Sequence, residues 1–182
     1  MTDKLFKVLL YSDGSHQAFS AAVYTATLLN KMPNMHLTVV QVQESDEGAV
    51  NPEINWAENW PISPTSEWKK RVVDQSDQAT KSQYEKILSR TKDIFTEREE
   101  NISFQVIYCN PSISETVEAL IDYATQRSFK LIIMGTRGLT TLKGLIFGCL
   151  AHNLLNRSPI PVLLVKKLPQ EFIESYCYNS KP

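Results

Sequence analysis

The chain has 182 residues, of which 42% are hydrophobic and 21% charged, and its 19 basic and 20 acidic side chains leave a net charge of −1. This composition is typical of a globular protein, and the length suits a single domain. The near-neutral charge offers no basic field for a phosphodiester backbone, which argues against nucleic acid as a partner. No apolar run approaches the roughly 18 residues of a membrane span and no signal segment precedes the first strand, so we expect a cytoplasmic protein without a membrane partner.

Five short runs rich in Val, Ile and Leu alternate with segments of helical period. They occupy residues 6–11, 37–43, 102–108, 130–135 and 162–165. This alternation is typical of a parallel sheet with crossover helices, and it predicts an open, doubly wound α/β fold. The third run alternates apolar and polar residues, which indicates an edge strand.

Helix signals lie between these runs. An apolar stripe of helical period follows Ser15, which is a suitable N-cap, and Ser112 with Glu115 forms a capping box before another stripe. A long amphipathic helix is predicted from about residue 66 to 97. A short last helix should end at the Ser158-Pro159 pair.

The stretch 44–65 has no period and holds several prolines, so we expect a long loop after the second strand. It contains Trp56 and Trp60, with Trp68 just beyond. Two interpretations stay open. The indoles pack back onto the domain, or they form a surface for a protein partner.

The predicted organisation is a single domain over residues 1–167, with the loop as an insertion. Residues 168–182 form a peripheral C-terminal tail with one helical turn around Phe172. Three widely separated cysteines predict free thiols.

Glycines follow the fourth strand in a pattern suited to phosphate binding. Gly135 and Gly138 come directly after the buried run, and nine residues later Gly148 and Cys149 open a helix whose first N–H groups are available to an anion. Arg137 adds positive charge between them. The alternative is a purely structural turn.

Asp13 follows the first strand, at the edge where ligands bind in open parallel sheets. Its carboxylate is placed either to accept hydrogen bonds from a ribose or an adenine amino group, or to cap the first helix. His152 lies one turn after Gly148 and is either a phosphate contact or a solvent-facing residue. The three histidines show no metal-ligand spacing, and the sequence indicates no catalytic group and no metal site.

These motifs together resemble the universal stress protein family. The resemblance is carried by residues 8–15, the Asn110-Pro111 turn, residues 131–138, Gly148 and residues 158–165. It covers nearly the whole chain apart from the long loop and the tail. It implies a five-stranded sheet in the order 3-2-1-4-5, like that of adenine nucleotide alpha hydrolases, and a homodimer joined through the strand at about residues 161–166.

The resemblance also implies a bound adenine nucleotide, ATP or a relative of it, with or without Mg²⁺. Asp13 and the backbone of Val42 would hold the adenosine end, with Gly135 near the ribose. The phosphates would be surrounded by main-chain N–H groups of Arg137, Gly138, Gly148, Cys149 and Leu150. Cys149 stands where the family carries Ser or Thr, and the lost hydroxyl should weaken the terminal-phosphate contact by about 0.5 to 1.5 kcal/mol.

The expected function is therefore an adenine-nucleotide-binding regulatory protein of the stress response that acts as a homodimeric switch. Two alternatives stay open. One is a nucleotide-free interaction module that uses the Trp-bearing loop and the edge of the fifth strand. The other is a weak ATPase or autokinase.

Overall fold

Five parallel strands form the centre of the protein, in a computed structural model that describes residues 5–44, 78–96, 99–137 and 148–179. The strands are β1 (Phe6–Tyr11), β2 (Met35–Glu44), β3 (Ile102–Cys109), β4 (Leu131–Gly135) and β5 (Val162–Val165). Their order in the sheet is β3-β2-β1-β4-β5, and every neighbouring pair is parallel. The predicted fold class and strand order are confirmed, and so is the edge position of the third strand.

Helices connect the strands. They are α1 (His16–Lys31), α2 (Gln78–Thr96), α3 (Ile113–Gln126), α4 (Cys149–Arg157) and α5 (Gln170–Asn179), with a 3₁₀ turn at Glu99–Asn101. Both predicted caps are confirmed, because Ser15 Oγ accepts the Ala18 N–H at 3.1 Å and Ser112 Oγ accepts the Glu115 N–H at 3.0 Å. Within the long helix predicted from 66 to 97, residues 78–96 are helical, and the rest lies outside the described residues.

The core has two layers because side chains alternate across the sheet. Val8 and Leu10 are fully buried against a layer that includes Phe95 of α2. On the other face, Leu9 packs in a cluster with Leu120 of α3 and Leu154 of α4. Covering both faces explains why the run Val8-Leu9-Leu10 of β1 is continuously apolar.

The C-terminal segment differs from the single helical turn predicted for it. Residues 170–179 form α5, whose Ile173 is buried in a cluster with Phe19, Val23 and Ile87. The Leu168 N–H also donates to Ser20 Oγ at 3.0 Å. These contacts with α1 and α2 stabilise a helix that would be too short to persist alone, and the local sequence does not show them.

Some predictions fall on segments that the structure does not describe. The loop after β2, with Trp56, Trp60 and Trp68, lies outside the described residues, and so does Gly138. Within the described ranges, no helix has the length and apolarity needed to span a bilayer. The cytoplasmic location and the division into residues 1–167 and 168–182 stay predictions.

Candidate functional site

The candidate site lies at the carboxyl ends of β1 and β4. The chain winds from β1 through β2 to β3 on one side of the sheet, whereas β4 leads to β5 on the other. The connections after β1 and β4 therefore leave in opposite directions and open a crevice between them. This is the topological switch point at which open α/β sheets bind ligands.

The loop after β1 holds Asp13 at the crevice. The Ser12 N–H extends the sheet by donating to the Val40 carbonyl at 2.9 Å, and Gly14 then turns the chain with a φ of 81°. Asp13 is buried, and its Oδ1 accepts the Ser15 N–H at 3.0 Å. The cap of α1 is thus Ser15 rather than Asp13. Among the described residues, Asp13 Oδ2 has no hydrogen-bond partner and is available to a ligand.

Ser15 also joins this loop to the loop after β4. Its hydroxyl donates to the Arg137 carbonyl at 3.2 Å while it caps α1. The end of β4 meets the start of α1 at Gly135, where an added Cβ would lie 2.7 Å from the carbonyl carbon of Gln17 and 2.8 Å from the Ala18 nitrogen. Gly135 is therefore required for the close approach of α1 to β4, whatever else it contacts.

The start of α4 is tied to the same loop. The Gly148 N–H donates to the Thr136 carbonyl at 2.9 Å, and the Thr136 N–H donates to the Val165 carbonyl at 2.9 Å. Gly148 is the N-cap and provides no side-chain cap bond. Among the described residues, the N–H groups of the next three residues, 149–151, have no acceptor. Unpaired donors and the positive end of the helix dipole suit this terminus to an anion.

The structure thus brings most of the predicted residues to one crevice. Asp13, Gly135, Arg137 and Gly148 are linked through the contacts above, and Cys149 is a half-buried free thiol at the first position of α4. The predicted role of Gly138 cannot be placed in this network, because that residue lies outside the described ranges.

The two remaining predicted residues contribute side chains to the core. Val42 lies in β2, and because Tyr11 pairs with Val40, Val42 lies level with Asp13 across the sheet. Its side chain is buried, and the half-buried Leu150 packs against the same cluster. Contact with a ligand through the main chain is compatible with both positions.

Ser12 is a polar residue of the site that the sequence analysis missed. Its Oγ is buried and has no hydrogen-bond partner among the described residues. Leaving a buried hydroxyl unpaired costs about 1 to 3 kcal/mol, so buried hydroxyls normally have a partner. The Ser12 hydroxyl is an exception, and it belongs to the residue next to Asp13. The sequence signal for it is slight, because a serine directly after a buried strand is common.

Other residues near the crevice have ordinary surroundings. His152 is exposed on α4, and its Nε2 lies 3.0 Å from Asn156 Nδ2, which supports the solvent-facing interpretation. Arg137 is half-buried and adds a positive charge. The described part of the chain contains no group of three or more His, Cys, Asp or Glu residues that could hold a metal ion.

Comparison with known proteins adds evidence on ancestry. Two proteins of Bacillus subtilis (strain 168) are similar to this chain. Universal stress protein YxiE is 28% identical over 94 residues, which are 52% of this chain and 60% of YxiE. Stress response protein NhaX is 23% identical over 167 residues, which are 88% of this chain and 97% of NhaX.

Among solved structures, a universal stress protein in complex with cAMP matches with a TM-score of 0.52 and 18% identity, over 90% of this chain and 98% of that one. This likeness shows a shared fold. The sequence pattern of the universal stress protein family itself matches residues 5–166. A match over most of the length, with the sheet order described above, shows that the chain belongs to the universal stress protein family.

Proposed function

We propose that this protein binds an adenine nucleotide, ATP in particular, between β1 and β4 and acts as a regulatory switch in the stress response. The observation that carries the proposal is the network that joins Asp13, Ser15 and Arg137 to the start of α4. It holds on the same crevice a carboxylate oxygen and a helix N-terminus whose first N–H groups have no acceptor within the described part of the chain. The related protein solved with cAMP supports an adenine nucleotide as the class of ligand.

The crevice has two parts, which suit the adenosine and the phosphates of a nucleotide respectively. Asp13 Oδ2 accepts hydrogen bonds from a ribose hydroxyl or from the adenine amino group. The N–H groups at the start of α4 donate to phosphate oxygens, and the helix dipole adds about 0.3 to 1 kcal/mol for an anion. Cys149 keeps its N–H but has no hydroxyl for a terminal phosphate. ADP and AMP should therefore compete with ATP better than at a site with Ser or Thr in this position.

The decisive variant is Asp13→Asn. Asparagine keeps an Oδ1 acceptor for the Ser15 N–H, so the loop should fold, but it replaces Oδ2 with a donor and removes the charge. We expect the affinity for ATP to fall about tenfold or more, since hydrogen bonds to charged groups contribute about 1.5 to 3 kcal/mol. Titration calorimetry with ATP, ADP, AMP and cAMP, with and without Mg²⁺, measures this loss.

The matched control is Asp122→Asn, which makes the same change at an exposed position on α3. It should bind each nucleotide as the unmodified protein does. Equal ATP affinity in the Asp13 and Asp122 variants would overturn the assignment of Asp13. If none of the nucleotides binds to the unmodified protein in the titration, the proposed function is overturned.

The homodimer is proposed to form along β5, an edge strand of the sheet. Ile132 and Thr136 donate to the carbonyls of Pro161 and Val165, so these positions face β4. Because backbone groups alternate along a strand, the N–H of Leu164 points away from β4. Leu164→Pro removes this outward donor and should shift a dimer to monomer in sedimentation velocity. An unchanged dimer would contradict pairing at this edge.

No observation favours either alternative function. The Trp-bearing partner surface lies outside the described residues. Among the residues that the structure describes around the crevice, no group supports weak ATPase or autokinase activity.

A further inference from the structure

A second concave site lies at the opposite end of the strands from the crevice. An open cavity of about 420 Å³ is formed at the amino ends of β1, β2 and β3 and the C-terminal end of α3. Lys7 near the start of β1 lines it, whereas Asp13 follows the end of the same six-residue strand. At about 3.3 Å per residue, the two sites are roughly 20 Å apart.

The floor of this cavity is polar. Lys7 pairs with His36 and Thr38 pairs with Ser103 in the sheet register, and all four line the cavity. The hydroxyls of Thr38 and Ser103 lie 2.9 Å apart. Gln105 Nε2 donates to the Val106 carbonyl at 2.9 Å, which leaves its Oε1 as an acceptor.

This polarity is a local departure from the rest of the sheet face. Further along the same face, Leu9, Tyr11 and Val40 are buried in the core beneath α3 and α4. Strands covered on both faces are normally apolar throughout. The change to hydroxyl, amide and cationic side chains therefore coincides with the cavity.

Two cations are held at the cavity by aromatic rings. Lys7 Nζ donates to the Arg127 carbonyl at 2.8 Å and lies 5.4 Å from the centroid of Phe129. The Arg127 guanidinium lies 4.8 Å from the centroid of Tyr123. Among the described residues, neither cation is paired with a carboxylate, although Glu100 also lines the cavity and is exposed. These contacts fix the position of both positive charges without neutralising them.

We propose that this cavity binds a small hydroxylated anion, a metabolite with one phosphate or carboxylate group and several hydroxyls. Lys7 and Arg127 bind the anionic group. The Thr38 and Ser103 hydroxyls and Gln105 Oε1 bind the ligand hydroxyls. The volume falls within the range of about 300 to 1,000 Å³ typical of small-molecule sites. The site is independent of the proposed nucleotide site, so each can fail without the other.

Backbone amide NMR spectra of the full chain test this inference, with glucose 6-phosphate, gluconate and glucose as probes. One or both anionic probes should shift the amides of Lys7, Thr38 and Ser103 in a saturable way, and leave Asp13 and Gly148 unshifted. Comparing glucose 6-phosphate with gluconate distinguishes a phosphate from a carboxylate ligand. Glucose should bind at least about tenfold more weakly than the better anion.

Two variants and a control locate the binding. Lys7→Met keeps an unbranched apolar chain beside Phe129, and Arg127→Gln removes the guanidinium; each should weaken the better anion about tenfold. Lys130→Met makes the same charge change on an exposed residue that does not line the cavity, and it should have no effect. The native spectrum of each variant establishes that it is folded.

Three results would overturn the proposal. The first is that neither anion shifts the cavity amides. The second is that glucose binds as well as the anions. The third is that the folded Lys7 and Arg127 variants bind the anion as tightly as the Lys130 control.

Discussion

Gly135→Ala tests whether the site depends on direct contact between β4 and α1. A methyl group at this position would lie 2.7 Å from the carbonyl carbon and Cβ of Gln17 and 2.8 Å from the Ala18 nitrogen. Carbon atoms in contact prefer about 3.5 to 4.0 Å. Two of the three opposing atoms are backbone, so no side-chain rotation relieves the overlap, and α1 must move away from β4.

The cost follows from this displacement. Forcing an extra methyl group into a packed interior destabilises proteins by about 1 to 3 kcal/mol. For a chain of this size, each kcal/mol lowers Tm by about 2 to 4 °C, so the expected loss is about 2 to 12 °C. The same movement separates Ser15 from the Arg137 carbonyl, which lies 3.2 Å from its hydroxyl. Affinity for ATP should therefore fall together with stability.

Urea denaturation followed by circular dichroism gives the free energy of unfolding, and calorimetry gives the affinity. Substituting serine for glycine at position 135 and at position 148 provides a matched comparison of stability. Gly135→Ser should destabilise at least as much as alanine, whereas Gly148→Ser adds a preferred N-cap at an ordinary φ of −66° and should not destabilise the fold. A Gly135→Ala protein within about 0.5 kcal/mol of the unmodified chain would refute the packing argument.

Two further predictions follow from hydrogen bonding and burial. Ser15→Ala and Ser112→Ala each lose a helix cap and about 1 kcal/mol in urea denaturation, but only Ser15 also bonds the Arg137 carbonyl. Calorimetry should therefore show weaker ATP binding for Ser15→Ala alone, and equal affinities would contradict the bridging role. Burial raises the pKa of Tyr123 above its ordinary 10.0, against a smaller lowering by Arg127, so the folded state holds this proton more tightly than the unfolded chain. The resulting stability is present below pH 10 and is lost as pH rises through the folded pKa. Tyr123→Phe should therefore reduce the decline of the unfolding free energy with rising alkaline pH. The same decline in the variant and the unmodified protein would contradict this.

Much of the fold was predictable because its signals are local. β1 and β5 begin and end where their apolar runs do, and the caps at Ser15 and Ser112 lie where the motifs place them. The position of Asp13 after a buried strand also predicted its place at the crevice. In each case, adjacent residues or a short repeat carry the information.

The contacts that assemble the site were not predictable in this way. Ser15 and Arg137 are 122 residues apart, and no periodicity indicates that one hydroxyl serves both a helix cap and a distant carbonyl. The sequence indicated Gly135 as a ligand-facing glycine, which stays a prediction, but it did not indicate the packing role against α1 that the structure shows. The polar cavity around Lys7 also went unnoticed, because its residues come from three strands and a helix end.

The sequence by itself determined the class of sheet, the start of each capped helix and the family of the protein, because apolar period and capping act over a few residues. Only the tertiary structure decided that α5 forms as a full helix and that one Asp13 carboxylate oxygen has no hydrogen-bond partner among the described residues. Both depend on packing between segments distant in the chain. Local propensity sets where most of the elements begin, whereas burial and hydrogen bonding between distant elements set whether a weak helix such as α5 forms in full and which atoms remain available for a ligand.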